Sequence, residues 1–288
     1  MKIVLIMIIC IYSLYADKLP AMAFLGYNGD AWVVCLTKSD GSVKEIVLEQ
    51  EAHAFDYNFK RDEILYIGEN GKLRLYSKGS ERELNLPYKK SAYTQPSFSC
   101  KKDFAYAVEL IDKNSKSTQI VSIDLRNDSL ESVVKQTSSQ FEASEIDAQR
   151  LLFTNLICNR GCAKLIQEIW KKNRVTGESE QLTLLNSFSS NPSVQYNDNW
   201  IFFSSNKNGT YHIWAKNLDS SEASLQITEG DYTDSFPASL GRGSFLYLRQ
   251  NKNRNFIMYG DINRKFYKIK LLKEYNKIRQ LKVNRCKQ

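Results

Sequence analysis

Short apolar runs alternate with polar turns along most of the chain. The stretch Asn191–Thr228 shows the pattern clearly, because Asn-Asp-Asn, Lys-Asn-Gly and Asp-Ser-Ser interrupt its apolar runs. Short runs rich in β-branched and aromatic residues, bounded by such turns, are typical of strands. The stretch therefore predicts four consecutive strands joined by tight turns.

The same pattern recurs along the chain at a spacing of about 40 to 50 residues, which is typical of a β-propeller. Three copies begin with a proline that lies eight residues before the next apolar run; the prolines are Pro96, Pro192 and Pro237, and the runs start at Phe104, Trp200 and Phe245. Two further copies, at Phe55 and Phe141, lack the proline. Fixed spacing with varied residues indicates a repeated structural unit.

Each copy continues into a hairpin turn and an alternating strand. The turns are Asn70-Gly71, Asn208-Gly209 and, more loosely, Asn159-Arg160-Gly161. Asn-Gly favours the positive φ angles of tight hairpins. The predicted fold class is all-β, a six-bladed propeller of four-stranded antiparallel blades. The blades are Met22–His53, Ala54–Ala92, Tyr93–Gln140, Phe141–Ser189, Ser190–Asp234 and Ser235–Leu272.

The first blade has sequence for three strands and none for an innermost one. The segment from Tyr275, YNKIRQLKV, is strand-like and has no place in the sixth blade. We expect it to supply the missing innermost strand, because closing the ring from both ends leaves no free edge. The alternative is a C-terminal helix, since KLLKEYNKIRQLK has partly helical spacing.

The first residues follow the pattern of a secretory signal peptide. Lys2 precedes an apolar run from Ile3 to about Tyr12, and Ala16 is a small residue before Asp17. The run is short for a membrane span of about 20 residues, although an uncleaved anchor is the alternative. We therefore expect a signal peptide at residues 1–16, a single propeller at 17–288, a periplasmic or secreted location, and no stable membrane insertion after cleavage.

Composition restricts the candidate partners and the redox chemistry. The net charge is +8, but the basic residues are spread among 32 acidic ones, so we expect a solvated mixed surface and no nucleic-acid partner. Removal of the leader leaves five cysteines, an odd number, so at least one is free or pairs with another chain. Cys158 and Cys162 flank a tight turn and are candidates for a local disulfide; the alternative is that all cysteines are reduced and buried.

Candidate chemistry lies where the innermost strands begin. Propeller glycosidases use carboxylates at the central channel, and residues just before the predicted innermost strands form a polar ring of candidate binding residues: His53, Asp56, Gln95, Glu142, Asn191 and Asp234. Such a ring can bind a cation or a basic partner segment, or it can be merely solvated. The chain has two histidines and no Gly-x-Ser-x-Gly motif, so we expect no catalytic triad, metal site or cofactor.

The fifth blade resembles the TolB-type propeller repeat. The matching residues are Ser205, Asn208, Gly209, Ile213, Trp214 and Thr228, followed by Pro237. This resemblance implies a periplasmic protein that binds partner proteins, such as envelope lipoproteins or membrane proteins, across one propeller face, without catalysis. TolB also carries an α/β domain, for which residues 17–288 leave no room. The turn Ser-Pro-Asp-Gly of the repeat is absent, and Tyr196–Asn199 stands in its place.

Two hypotheses for function follow. The first is an exported, non-enzymatic, TolB-like propeller that acts as a protein-binding scaffold of the cell envelope. The alternative is a propeller glycan hydrolase or lyase that uses carboxylates at the channel mouth. That alternative requires Glu142 and Asp234 to converge within about 10 Å.

Overall fold

The computed structural model describes residues 19–87, 90–111, 118–159 and 164–286. The predicted signal peptide, residues 1–16, lies outside these ranges. No helix within them is long and apolar enough to cross a membrane.

The described residues form 24 strands in six four-stranded antiparallel sheets. From the innermost strand outward, blade one contains β24 (Ile278–Val283), β1 (Met22–Tyr27), β2 (Trp32–Thr37) and β3 (Val43–Ile46). Blade two contains β4 (Ala54–Asn58), β5 (Glu63–Ile67), β6 (Leu73–Ser77) and β7 (Ser80–Glu83). Blade three contains β8 (Ala92–Phe98), β9 (Phe104–Leu110), β10 (Thr118–Asp124) and β11 (Ser129–Val134).

The second half of the ring repeats the arrangement. Blade four contains β12 (Ser139–Glu145), β13 (Arg150–Asn159), β14 (Lys164–Asn173) and β15 (Ser179–Gln181). Blade five contains β16 (Ser189–Val194), β17 (Trp200–Ser205), β18 (His212–Asn217) and β19 (Leu225–Gln226). Blade six contains β20 (Thr233–Gly241), β21 (Ser244–Asn251), β22 (Arg254–Asp261) and β23 (Phe266–Lys268). The predicted six-bladed propeller is confirmed.

The hydrophobic core lies between the blades. Each of the six buried clusters contains side chains from two neighbouring blades, and together the clusters cover every pair around the ring. Between blades three and four, for example, Tyr106 and Val108 pack with Leu151 and Phe153. Alternate side chains of a strand point to opposite faces of its sheet, so the two faces of one blade pack against two different neighbours.

The C-terminal strand closes the ring. β24 pairs antiparallel with β1, with Met22 opposite Val283 and Phe24 opposite Leu281. β24 also contacts β20 of blade six and β4 of blade two. The expectation that the tail supplies the innermost strand of blade one is confirmed, and the helical alternative for that segment is wrong. Burial of Ile278 and Leu281 in the cluster between blades six and one explains the strand.

At two of the predicted hairpin turns the glycine has the positive φ angle that the sequence favours, whereas Asn70 and Asn208 do not. Gly71 and Gly209 have φ angles of +73° and +101°, a region where glycine carries no Cβ penalty. The third predicted turn, at Arg160-Gly161, lies outside the described residues.

A disulfide links the C-terminal tail to blade three. Cys100 and Cys286 are bonded, with 5.4 Å between their Cα atoms. Cys35 is free and buried. Cys158 is disulfide-bonded, but its predicted partner Cys162 lies outside the described residues, so that pairing stays a prediction.

Replacing Cys100 and Cys286 together by serine is expected to lower the free energy of unfolding. The link joins residues 186 positions apart, and its loss frees a long loop of the unfolded chain, which costs about 2–5 kcal/mol of stability. Urea unfolding in oxidising buffer measures the change. Because the pairing of β24 with β1 remains, the variant is expected to keep its strand content by circular dichroism. An unchanged unfolding midpoint would contradict the assigned role of this disulfide.

Candidate functional site

The innermost strands of all six blades line one central cavity. Its volume is about 340 Å³, and residues of β4, β8, β12, β16, β20 and β24 form its wall. His53 lines the cavity and is exposed to solvent, so the cavity reaches the surface where the innermost strands begin. We call this side the entry end of the channel.

A backbone irregularity repeats around the channel wall. Five residues that are not glycine have φ angles between +49° and +59° at corresponding places in the innermost strands: Gln95, Glu142, Asn191, Phe236 and Gln280. The pairing register of each strand shifts at this residue, as in a β-bulge. The structure therefore places Gln95, Glu142 and Asn191 inside strands, whereas the sequence pattern predicts them just before the strands.

Side chains of the bulged residues bond to the backbone of the next blade. Gln95 Oε1 accepts a hydrogen bond from the Glu142 N–H at 3.0 Å. The Glu142 carboxylate accepts two from Asn191, one from its N–H at 2.8 Å and one from its side-chain amide at 2.9 Å. Gln280 Oε1 accepts from the Phe55 N–H at 3.0 Å. Because a bulge removes an N–H from its own ladder, the bonds to the N–H groups of Glu142 and Asn191 satisfy donors that would otherwise be unpaired.

Asp56 lines the same cavity and is bound by protein groups. Its Oδ2 accepts hydrogen bonds from the Phe98 N–H at 2.7 Å and from Arg285 Nη2 at 3.1 Å. Lys282 Nζ lies 3.9 Å from its Oδ1. Asp56 therefore holds blade two to blade three and to the C-terminal tail.

Asp234 is placed apart from the other candidates. It is not among the residues that line the cavity. Its side chain is fully buried and forms two bonds with Arg249, each 2.8 Å long. Asp234 is the second residue of β20, where its side chain meets Arg249 directly opposite in β21. The structure thus brings His53, Asp56, Gln95, Glu142 and Asn191 to one cavity and leaves Asp234 out of it.

The C-terminal tail spans the other end of the channel. The Arg285 carbonyl accepts hydrogen bonds from the Tyr196 N–H at 2.9 Å and the Gln195 side chain at 2.8 Å, both in the turn after β16 of blade five. Its guanidinium reaches Asp56 and Ser97 on blades two and three, and Cys286 is bonded to blade three. Residues 284–286 therefore cross from blade one towards the opposite side, and we call this the closed end.

Polar side chains of the C-terminal segment also line this cavity and were not among the predicted site residues, namely Gln280, Lys282 and Arg285. A signal was available for two of them. Once YNKIRQLKV was assigned to an innermost strand, the polar residues between Ile278 and Leu281 and after Leu281 had to face away from the core. The position of Arg285 depends on the Cys100–Cys286 bond, which no local pattern indicates.

The cavity perturbs the titration of two facing groups. Burial raises the pKa of Glu142 to about 7, against the bonds from Asn191 and the charge of Lys282, which lower it. Burial lowers the pKa of Lys282, partly offset by the carboxylates of Asp56 and Glu142. Among the described residues no group of three His, Cys, Asp or Glu side chains could hold a metal ion.

Stability is expected to fall as the pH rises from about 5 to 8. The folded chain holds the Glu142 proton with a pKa of about 7, above the ordinary value of 4.5. The folded state therefore binds more protons in that interval than the unfolded state, and the stabilisation is lost as the pH rises through 7. Glu142→Gln is expected to fold, because glutamine occupies the corresponding positions 95 and 280, and to reduce this loss by about 1–3 kcal/mol.

Urea unfolding at pH 5 and pH 8 measures this effect. Glu69→Gln, at an exposed turn, is the matched control and is expected to behave as the wild type. Equal pH dependence of the wild type and Glu142→Gln would contradict the burial of this carboxyl group.

Known proteins share the fold of this chain. No family model matches the sequence, and no curated protein matches it. The structure of TolB from Acinetobacter baumannii superposes with a TM-score of 0.73 at 16% identity, over 92% of this chain and 67% of that one. A structure assigned as TolB from Agrobacterium tumefaciens gives 0.65 at 12% identity, over 87% and 88%.

The same blades occur in larger proteins. A puromycin-hydrolysing peptidase of Mycobacterium tuberculosis superposes with a TM-score of 0.59 at 11% identity, over 90% of this chain and 48% of that one. This chain therefore spans less than half of the peptidase. At these identities the likeness concerns the fold and not the activity. The chain has the fold of a TolB-like six-bladed β-propeller, without an α/β domain among its described residues.

Proposed function

We propose that this chain is an exported, periplasmic propeller that binds a partner protein at the entry end of its channel and acts as a scaffold of the cell envelope. The observation that carries the proposal is the asymmetry of the channel. Arg285 and Cys286 tie the tail across the closed end, whereas exposed His53 lines the cavity at the other. A partner segment can therefore enter from one face.

The location in the periplasm rests on the sequence. The signal-peptide pattern of residues 1–16 supports export, and a disulfide such as Cys100–Cys286 persists in oxidising compartments. The resemblance of blade five to the TolB-type repeat supports an envelope lipoprotein or membrane protein as the partner. Surface charge of both signs supports a protein partner over a nucleic acid.

The hydrolytic alternative receives less support from the geometry. Its proposed pair was Glu142 with Asp234, and Asp234 is paired with Arg249 away from the cavity. The two carboxylates that do line the cavity, Asp56 and Glu142, accept hydrogen bonds from backbone groups of neighbouring blades. A carboxylate tied in this way has less freedom to act as a nucleophile or to exchange protons with substrate. We therefore place partner binding ahead of glycan cleavage.

Site-specific photo-crosslinking tests the proposal. Residues 17–288 carrying a photoreactive amino acid at position 53, at the entry end, are incubated with envelope extract of the source organism. The control carries the same group at Lys102, which is exposed beside the closed end. We expect a discrete protein adduct from position 53 and none from position 102.

Two results would overturn the proposal. One is an adduct at position 102 with none at position 53, which would place the partner on the opposite face. The other is no adduct at either position while the purified chain cleaves glycan, which would favour the hydrolytic alternative.

A further inference from the structure

The carboxylates of the channel have already used much of their capacity to accept hydrogen bonds. Asp56 Oδ2 accepts from the Phe98 N–H and from Arg285. Both oxygens of Glu142 accept from Asn191. These groups therefore hold the blades together and leave little acceptor capacity for an incoming ligand.

The channel does contain hydrogen-bond donors that are available to a ligand. The Lys282 ammonium faces the cavity, and its Nζ lies 3.9 Å from Asp56 Oδ1, too far for a hydrogen bond. Gln95 uses its oxygen to accept from Glu142, and its amide N–H groups have no hydrogen-bond partner among the residues that the structure describes. The guanidinium of Arg285 is different, because it already donates to Asp56, Ser97 and the Phe98 carbonyl.

These donors belong to one neighbourhood. Gln95 and Lys282 line the same cavity and both interact with Glu142: Gln95 accepts a hydrogen bond from its N–H, and the charge of Lys282 lowers the pKa of its carboxyl group. A ligand that satisfies them has to offer oxygen acceptors with negative charge, since an ammonium bonds most strongly to an anion. One negative charge fits better than two, because the carboxylates of Asp56 and Glu142 also lie near Lys282 and would repel a doubly charged phosphate.

We propose that the channel binds a carboxylate group, presented through the entry end and held by the Lys282 ammonium with the Gln95 amide. This inference rests on the proposed function, since it names the chemistry by which a partner segment is recognised. The carboxylate can come from the C-terminus of the partner chain or from an aspartate or glutamate side chain. In either case Lys282 contributes the charge, and its partial burial in the cavity strengthens the bond.

Short peptides test the proposal on the purified chain, residues 17–288. The probes are acetyl-triglycine with a free C-terminal carboxylate, the same peptide as its C-terminal amide, and acetyl-Gly-Asp-Gly amide with a side-chain carboxylate. We expect the amide of triglycine to bind about tenfold more weakly than at least one carboxylate peptide, as measured by isothermal titration calorimetry. The stronger of the two carboxylate peptides identifies the source of the group.

Variants test whether the preference for carboxylate peptides depends on Lys282 in the channel. Lys282→Gln is expected to bind carboxylate and amide peptides equally, whereas Lys282→Arg is expected to keep a preference for carboxylate. Lys207→Gln removes an exposed lysine from the loop between β17 and β18 and is the matched control, expected to bind as the wild type. Circular dichroism checks the fold of each variant.

The proposal is overturned if the wild type shows no preference for carboxylate over amide, a comparison that needs no variant to fold. It is also overturned if folded Lys282→Gln keeps the full preference. Crosslinks from position 53 without a carboxylate preference would refute this recognition chemistry alone. A carboxylate preference without crosslinks from that position would instead refute the proposed entry of a protein partner.

Discussion

Packing between neighbouring blades is the interaction on which the rest of this structure depends. All six hydrophobic clusters join two adjacent blades, so each blade buries its faces only when it has a neighbour on both sides. An open ring would leave the apolar faces of blades one and six in water, together with the free edge of β1. Pairing of β24 with β1 removes that edge and places the C-terminal tail at the channel axis.

The same closure determines which groups of the channel are available to a ligand. The bulge that recurs in the innermost strands takes an N–H out of its ladder, and the side chains of Gln95, Glu142 and Gln280 bond to backbone N–H groups of the next blade. Most polar groups on the wall are thereby committed to structure. Lys282 enters the channel on the closing strand, with donors that the wall does not use, and Arg285 holds the tail across one end.

The blades could be predicted from the sequence because the repeat has a structural cause. Three prolines revealed the repeat, namely Pro96, Pro192 and Pro237. Each directly follows a bulged residue of an innermost strand, at a position where the ladder needs no N–H donor. The left-handed backbone at the bulges could not be predicted, since glutamine, glutamate and asparagine give weaker signals for it than glycine. Side-chain partners across the fold were also not indicated by the sequence. Cys286 bonds to Cys100 and not to a nearby cysteine, and Asp234 turns to Arg249 instead of the channel.

In the proposed function a partner enters the channel from the end where the innermost strands begin. A crystal structure of the chain with its crosslinked partner tests this mode of entry. We expect a partner segment that passes His53 and places a carboxylate oxygen within hydrogen-bond distance of Lys282 Nζ, while Arg285 and Cys286 keep their present bonds. A partner bound on the outer strands, or one that displaces residues 284–286 from the closed end, would contradict entry through the channel.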